Sequence, residues 1–267
     1  MMSEGSERNM IEHLVTINGI EVAASYTEKA AEEIFLPLLR KLSELHRRKA
    51  GRILVMLAAP PGAGKSTLLS FLSRLSSGQK ELVPIQAIGM DGFHRRQDYL
   101  QTHFVEKDGR RFPMVEIKGA PVTFDLDKLA EAVKKVSEGQ ICGWPAYNRL
   151  LHNPTENAQT VDGDIVLLEG NYLLLDEDGW RGLRFYADYT ISIRAEEKLL
   201  RQRLIMRRMK TGVDLEPATR FVDFSDMQNV RLCLNKTLPA DLELQLDADG
   251  DYHISSGGRT PPFVLEK

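Results

Sequence analysis

The sequence predicts a three-layer α/β/α fold around a mostly parallel sheet, and three observations predict it. Apolar, strand-like runs alternate with helix-like stretches, the pattern of parallel strands joined by helical crossovers. One such run, Ile53 to Ala58, ends in the Pro/Gly-rich turn of "LAAPPGAGKSTLLS", and a helical stretch, Leu68 to Leu75, follows. Two further runs end on acidic residues: "LVPIQAIGMD" near Asp91 and the stretch Ile165 to Leu168 at Glu169. Ligands of open parallel sheets sit beyond the carboxyl ends of the strands, so Ala59, Asp91 and Glu169 mark where a site is expected.

The chain has 267 residues and a net charge of −3. That length can bury a sizeable core, and that charge makes no electrostatic case for nucleic acid as a main partner. Cys142 and Cys233 are too few for a disulfide framework or a cysteine-based zinc site, and they suit a reducing compartment. The opening "MMSEGSERNM" is polar and lacks the apolar core of a signal, and no apolar run is long enough for a bilayer. The expectation is a cytoplasmic protein with no membrane partner.

Two units are expected: an N-terminal accessory hairpin and helix over 1–50, and a nucleotide-binding domain over 51–267. In "LVTINGIEVAASY" the alternation and Asn18-Gly19 predict a hairpin. "TEKAAEEIFLPLLRKLSELHRRK" then predicts a helix with Thr27 as N-cap and Pro37 within its span. This layer suits an accessory wall or an oligomer contact, so a homo-oligomer stays open. The segment from His94 to Asp125 is charged, Gly- and Pro-marked and weakly periodic. Long irregular stretches inside compact domains are often functional. "DLDKLAEAVKKVSEG" predicts an amphipathic helix, "DYTISIRA" a strand, "AEEKLLRQRLIMRRMKTG" a basic helix ending at Gly212, "SDMQNVRLCLNKT" a late helix, and "DLELQLDADGDYHIS" a closing hairpin around Asp249-Gly250.

The turn after Ile53 to Ala58 nearly matches G-x-x-x-x-G-K-[ST], with Ala59 in place of the first glycine. Backbone N–H groups over Pro61, Gly62, Ala63, Gly64, Lys65, Ser66 and Thr67 can cradle a nucleotide's phosphates, and the following helix offers its N-terminus to the same anion. Lys65 reaches the β- and γ-phosphates and the Ser66 hydroxyl ligates Mg²⁺. Ala59 is tolerable there if its φ is negative. Strand, loop and helix thus come in the order a P-loop NTPase needs.

Phosphoryl transfer needs a cradle, a metal, a base for the acceptor and cations for spreading charge. Asp91, in "MDGFH", is placed to accept a hydroxyl proton or to serve the metal; it also suits a turn, since Asp-Gly is a common turn pair. Glu169, in "LLEGNY", ends its strand as a metal-holding carboxylate does. On the basic helix Arg203 and Arg207 are four apart and share a face, so they could close over the phosphates as a lid or simply be solvated.

As an ordered set, "APPGAGKST", "MDGFH", "KGAPVTFD", "WPAYNRLLHNP", "VLLEGNYLLLD" and "RQRLIMRR" resemble the P-loop kinases that include uridine kinase, phosphoribulokinase and bacterial pantothenate kinase. The resemblance spans about Ile53 to Leu246 and is strongest to bacterial fructose transport system kinase-like proteins. It implies that Asp91 is the catalytic base, that Arg203 and Arg207 are lid arginines, and that Asp125 with its neighbour Phe124 grips acceptor hydroxyls. It places Tyr147 and His152 where uridine kinase has a nucleoside-contacting "YDxxxH", with Asn148 departing from the family's aspartate. Lys118 and Arg149 fall near the acceptor by their neighbours, and Phe93, His94 and Asn229 are weaker acceptor candidates. Tyr147 and His94 equally suit packed positions, and His152 a turn.

These readings predict an ATP- and Mg²⁺-dependent kinase acting on a hydroxyl of a sugar or sugar-like small molecule. A uridine/cytidine-type nucleoside kinase is the alternative within the class. An ATP-dependent switch without a small acceptor is the alternative outside it, and a hydroxyl base at Asp91 argues against the switch.

Overall fold

The computed structural model describes residues 9–17, 20–107, 109–148 and 151–255. The N-terminal hairpin consists of β1 (Met10–Ile17) and β2 (Ile20–Thr27), paired antiparallel. Its expected turn, Asn18-Gly19, lies outside the described residues, as does Arg149. Thr27 caps the following helix as expected, its hydroxyl accepting from the Ala30 N–H at 3.0 Å. That helix begins as α1 (Glu28–Ala30), widens to a π turn over Ala31–Phe35 and continues as α2 (Leu36–Lys49). Pro37 explains the widening: it has no N–H to offer and its ring crowds the carbonyl four residues back, so the preceding turn expands.

The central sheet starts with β3 (Ile53–Ala58), followed by α3 (Lys65–Ser77), β4 (Ile85–Gly89) and α4 (Gln97–Thr102). The stretch between His94 and Asp125 is more ordered than its composition suggests. After α4 it forms a small hairpin, β5 (Phe104–Lys107) with β6 (Arg110–Pro113), and two 3-10 turns, Met114–Ile117 and Pro121–Thr123. Next come α5 (Leu126–Ser137), β7 (Cys142–Asn148), β8 (Asn153–Val161) and β9 (Ile165–Gly170). The chain closes with β10 (Tyr189–Ala195), α6 (Glu197–Met209), α7 (Leu215–Phe221), α8 (Met227–Lys236), β11 (Leu242–Leu246) and β12 (Tyr252–Ile254).

The six-stranded sheet has the order β12-β11-β10-β3-β9-β4, parallel except for the edge strand β12. Residues of β3 and β9 are buried along their whole length, as strands covered on both faces must be. Their side chains alternate between two cores. Ile53, Val55 and Leu57 pack with α2, α3 and α6, whereas Leu54, Met56 and Ala58 pack with α5, Trp144 and Tyr172. The N-terminal layer enters the first core: Tyr26 stacks on Phe71 of α3 at 4.2 Å between ring centres, and Phe35 meets Tyr252 at 5.6 Å. Among the described residues no helix is long and apolar enough to cross a membrane.

A second pair of strands also escaped the sequence reading. β7 and β8 form an antiparallel hairpin beside the sheet, with a register shift between Trp144 and Ala146. Pro145 sits in that irregularity, where its missing N–H breaks no ladder bond; a proline mid-run otherwise argues against a strand.

Candidate active site

Strand order brings the three expected strand ends together. β9 lies between β3 and β4, so Glu169 is flanked by Leu57 on one side and Gly89 on the other. A Cβ on Gly89 would stand 3.3 Å from Glu169 Oε1, so the glycine leaves the carboxylate its room. Past β3 the chain takes left-handed backbone at Gly62 (φ 87°) and Gly64 (φ 81°) and not at Ala59, as the tolerated alanine requires. The loop is braced by Ala63 N–H donating to the Pro60 carbonyl at 3.2 Å and by the Thr67 hydroxyl donating to the Gly64 carbonyl at 2.6 Å. The helix begins at Lys65, earlier than the apolar spacing indicates, because Gly64 is its N-cap and Lys65 to Thr67 form its first turn.

At the loop's exit the Ser66 hydroxyl donates to Glu169 Oε1 at 2.6 Å, and Lys65 Nζ stands 3.8 Å from Glu169 Oε2. Burial pushes the Glu169 carboxyl above the usual range. Lys65 and the Ser66 hydroxyl oppose that shift, and the Asp91 charge adds to it. Asp91 itself lies in a 3-10 turn over Met90–Phe93, just past β4. That turn approaches β7 so closely that a Cβ on Gly92 would fall 2.1 Å from the Pro145 carbonyl oxygen. The expected Asp-Gly turn is therefore also a packing requirement.

The basic helix α6 rests on the loop. Leu200, Leu204 and Ile205 are buried, and a Cβ on Gly62 would meet the Leu200 carbonyl at 3.1 Å. Arg203 Nη1 lies 4.0 Å from where a Cβ on Gly64 would be, beside the phosphate loop, while Arg207 is exposed one turn further on. Neighbouring cations are engaged away from the loop: Arg201 pairs with Asp223 at 2.6 Å and Arg208 with Asp226 at 3.2 Å.

Most expected acceptor residues gather on the other side of Asp91. His94 stacks on Phe124 at 3.9 Å between ring centres and meets Tyr147 edge-on at 5.3 Å. Its Nδ1 is buried with no hydrogen-bond partner among the described residues. Burial lowers the His94 pKa; Asp91 opposes that and Lys118 adds to it. Lys118 Nζ donates to Gln97 Oε1 at 2.8 Å and to the His152 carbonyl at 3.0 Å, and stands 4.9 Å from the Tyr147 ring centre. Its pKa falls through burial. His152 holds left-handed backbone, φ 50°, at the hairpin tip, where Asn148 Oδ1 accepts from the Leu151 N–H at 3.1 Å. Asp125 has structural employment here: it caps α5 by accepting from the Lys128 N–H at 3.3 Å, and it faces Arg95 at 3.6 Å. Phe93 is buried and edge-on to Trp144 at 4.9 Å, a core position. Asn229 is buried near Gly119, whose built Cβ would stand 3.6 Å from its Nδ2.

Three contributors went unseen in the sequence. Gln97 holds Lys118, and the Tyr172 hydroxyl donates to the Gly119 carbonyl at 2.6 Å, fixing the turn that carries Lys118. Tyr172 lies three residues past Glu169 in "EGNY", which was a usable signal. Tyr26 faces Thr67 of the loop, whose hydroxyl tempers the rise that burial gives the Tyr26 pKa, to about 12. Nothing local in "ASYTEK" marks that contact.

The donor set fits a hard cation. Glu169, Ser66 and Asp91 supply oxygen only, and no group of three or more His, Cys, Asp or Glu side chains arranged for a metal occurs among the described residues. Mg²⁺ takes such a sparse protein set because the substrate's phosphates complete it.

The profile of the Phosphoribulokinase / Uridine kinase family matches residues 54–245. The Escherichia coli (strain K12) protein YggC, of uncharacterised function, is 38% identical over 243 residues, 91% of this chain and 98% of its own length. A candidate uridine kinase of Schizosaccharomyces pombe is 28% identical over 201 residues, 73% of this chain and 83% of its own. Among solved structures, a candidate fructose transport system kinase from Silicibacter sp. TM1040 superimposes with a TM-score of 0.67 at 30% identity, covering 77% of this chain and 98% of that one.

Proposed function

The chain belongs to the phosphoribulokinase / uridine kinase family, and we propose that it is an ATP-dependent kinase that phosphorylates a hydroxyl of a sugar or sugar-like small molecule. One observation carries the reading: a phosphate loop, a buried carboxylate bonded to its serine at 2.6 Å, and a second carboxylate all lie at neighbouring strand ends. A nucleotide switch needs the first two. A hydroxyl kinase also needs the third, facing an acceptor space.

In this reading the Pro61 to Thr67 backbone and Lys65 hold the triphosphate, with Arg203 beside the loop. The acceptor oxygen attacks the γ-phosphorus in line, the bond to the β,γ-bridging oxygen breaks, and ADP leaves. Asp91 takes the proton released by the attacking hydroxyl. Lys65 and Arg203 face the charge that spreads over the phosphoryl oxygens. Mg²⁺ bound at Ser66 and Glu169 would neutralise phosphate charge. Asp125 and Lys118, with His94, Phe124, Tyr147 and His152, orient the acceptor. Two free cysteines, ATP use and the absence of a long apolar helix among the described residues together support a cytoplasmic setting.

A nucleoside acceptor is a second reading, and the His94–Phe124–Tyr147 aromatic group favours it, since a base stacks on such faces. ADP formation measured with pentoses, hexoses, their monophosphates, uridine and cytidine separates the readings. A sugar or sugar phosphate is expected to accelerate ADP formation strongly, and Lys65→Ala to lower the rate about 10²–10³-fold, as loss of one charged contact to the reacting group does. Acceleration by uridine or cytidine alone selects the nucleoside reading. ADP release indifferent to every acceptor selects the switch.

A further inference from the structure

Arg201 and Arg208 of α6 each hold a carboxylate, whereas Arg203 makes no hydrogen bond or ion pair among the described residues. Two pieces of backbone confine its guanidinium instead. Nη1 lies 4.0 Å from where a Cβ on Gly64 would stand, and Nη2 lies 3.8 Å from where a Cβ on Gly250 would stand. Gly64 belongs to the phosphate loop and Gly250 to the turn between β11 and β12. A guanidinium without a carboxylate partner suits a phosphate site, because no ion pair has to be broken before it faces an anion. Such a side chain also has many rotamers, and fixing them only at the moment of reaction would oppose transfer. Confinement by neighbours removes that cost.

The N-terminal layer supplies much of the confinement. Tyr26 of β2 is buried, lies on Phe71 of α3 at 4.2 Å and 20° between the rings, and meets Phe35 edge-on at 5.9 Å. Its hydroxyl end faces Thr67, whose own hydroxyl donates to the Gly64 carbonyl at 2.6 Å. Tyr26 thus backs the first turn of α3 and the glycine that Arg203 approaches. Tyr252 of β12 joins the same aromatic group, 5.6 Å from Phe35 and 6.2 Å from Tyr26 between ring centres. Burial raises the pKa of both phenols, and the Arg203 charge opposes the rise in each.

A hydrogen bond ties this layer to the turn that carries Gly250. The Thr27 hydroxyl donates to Asp251 Oδ1 at 2.8 Å while it accepts from the Ala30 N–H at 3.0 Å. The same Asp251 oxygen accepts from the Tyr252 N–H at 2.9 Å. At the other end of the turn Asp247 pairs with His253 at 2.7 Å. These two carboxylates are engaged away from Arg203, which keeps its five N–H donors for an anion. Tyr26 and Thr27 precede residue 54, and Gly250, Asp251 and Tyr252 follow residue 245, the limits of the family profile. Arg203 and the phosphate loop lie within those limits, so both flanks of the matched region converge on one arginine.

We propose that Tyr26 is a positioning residue for Arg203: docked on α3, and joined to the β11–β12 turn through Thr27 and Asp251, it holds the guanidinium at the phosphate loop so that it meets the γ-phosphate of an incoming nucleotide. The N-terminal layer is then a working part of the nucleotide site as well as a wall of the core. This rests on the proposed use of ATP by the loop and not on the identity of the acceptor.

Calorimetry on the full chain, with Mg²⁺ and either the non-hydrolysable β,γ-imido analogue of ATP or ADP, tests this without an acceptor. Tyr26→Phe keeps the ring on Phe71 and removes only the hydroxyl. It is expected to weaken the triphosphate analogue about fivefold, the scale of one hydrogen-bonding group, and ADP by less than about twofold, with the melting temperature close to wild type. Arg203→Ala should weaken the analogue about tenfold or more. Adding Tyr26→Phe to Arg203→Ala should cost nothing further, because the tyrosine acts through the arginine. A purely structural Tyr26 would lower the melting temperature, weaken both nucleotides alike and keep its effect beside Arg203→Ala; that result overturns the proposal. Unchanged affinity in Tyr26→Phe, with the wild type binding the analogue, overturns the proposal and leaves the ATP reading standing. A wild-type chain that binds neither nucleotide breaks the ATP reading and the proposal with it.

Discussion

The two ends of the candidate site are built differently. The phosphate end is backbone on a rigid frame: three neighbouring parallel strands, a loop turned by two glycines with φ near 80–90°, and one hydroxyl–carboxylate bond. The acceptor end is assembled from side chains on excursions away from the sheet: a 3-10 turn, a long connecting segment, and the tip of the β7–β8 hairpin, tied by Lys118 to Gln97 and the His152 carbonyl. Backbone N–H groups recognise phosphate whatever side chains surround them, which is why Ala59 can replace a glycine without loss of geometry. Side chains on excursions can be exchanged singly. The difference teaches that one end can stay constant while the other sets which molecule is phosphorylated.

The sharpest way to break this contrast is at Asp91, the residue both ends share. Asp91→Asn keeps shape and removes proton acceptance, so kcat is expected to fall about 10²–10⁴-fold with ATP affinity retained. An equal loss of ATP binding, read by calorimetry, would reassign Asp91 to the metal and the phosphate end. A smaller effect is expected wholly within the acceptor end. Asp125→Ala should raise the acceptor KM about tenfold, the scale of losing one charged hydrogen bond, and leave the KM for ATP nearly unchanged. It also removes the α5 N-cap and so costs about 1 kcal/mol of stability, which a denaturation midpoint reads separately. Unchanged acceptor kinetics beside that stability loss would leave Asp125 as a cap alone.

The smallest effect concerns stability at the phosphate end. Burial raises the Glu169 pKa in the folded, ligand-free protein, so the native state binds a proton there more tightly than the unfolded chain does. The resulting stability is fully present below the ordinary glutamate pKa near 4.5 and is lost as pH rises through the raised folded value. Glu169→Gln, which cannot ionise, should therefore raise the melting temperature at pH 7 relative to wild type by more than it does at pH 4, by a few degrees, while slowing transfer. A gain equal at both pH values would mean that the carboxylate is not held uphill.

Much of the phosphate end was legible because its determinants are local. A continuous apolar run of six residues that ends in a Pro/Gly turn suits a strand covered on both faces, and Gly62 and Gly64 announce the left-handed backbone that they adopt. The N-cap at Thr27, the glycine after α5 and the closing hairpin were legible for the same reason. The acceptor end was less so. Pro145 disguised β7, since a proline there reads as a break until the bulge that houses it is seen. The stretch after His94 hid a helix and a hairpin, because elements of four to six residues leave too few positions for a period to emerge.

From the chain order of its residues alone, this protein is committed to a P-loop, to parallel strands and to acidic groups at their ends, since each depends on neighbours within a few positions. Folding in space settled the rest. Inserting β9 between β3 and β4 brought Ser66 and Glu169, 103 residues apart, to 2.6 Å. Docking the N-terminal hairpin on α3 set Tyr26 on Phe71 and against Thr67 of the phosphate loop. Strand order and docking depend on which buried faces fit one another across the whole chain, and that complementarity is a property of packed surfaces, absent from any short window of sequence.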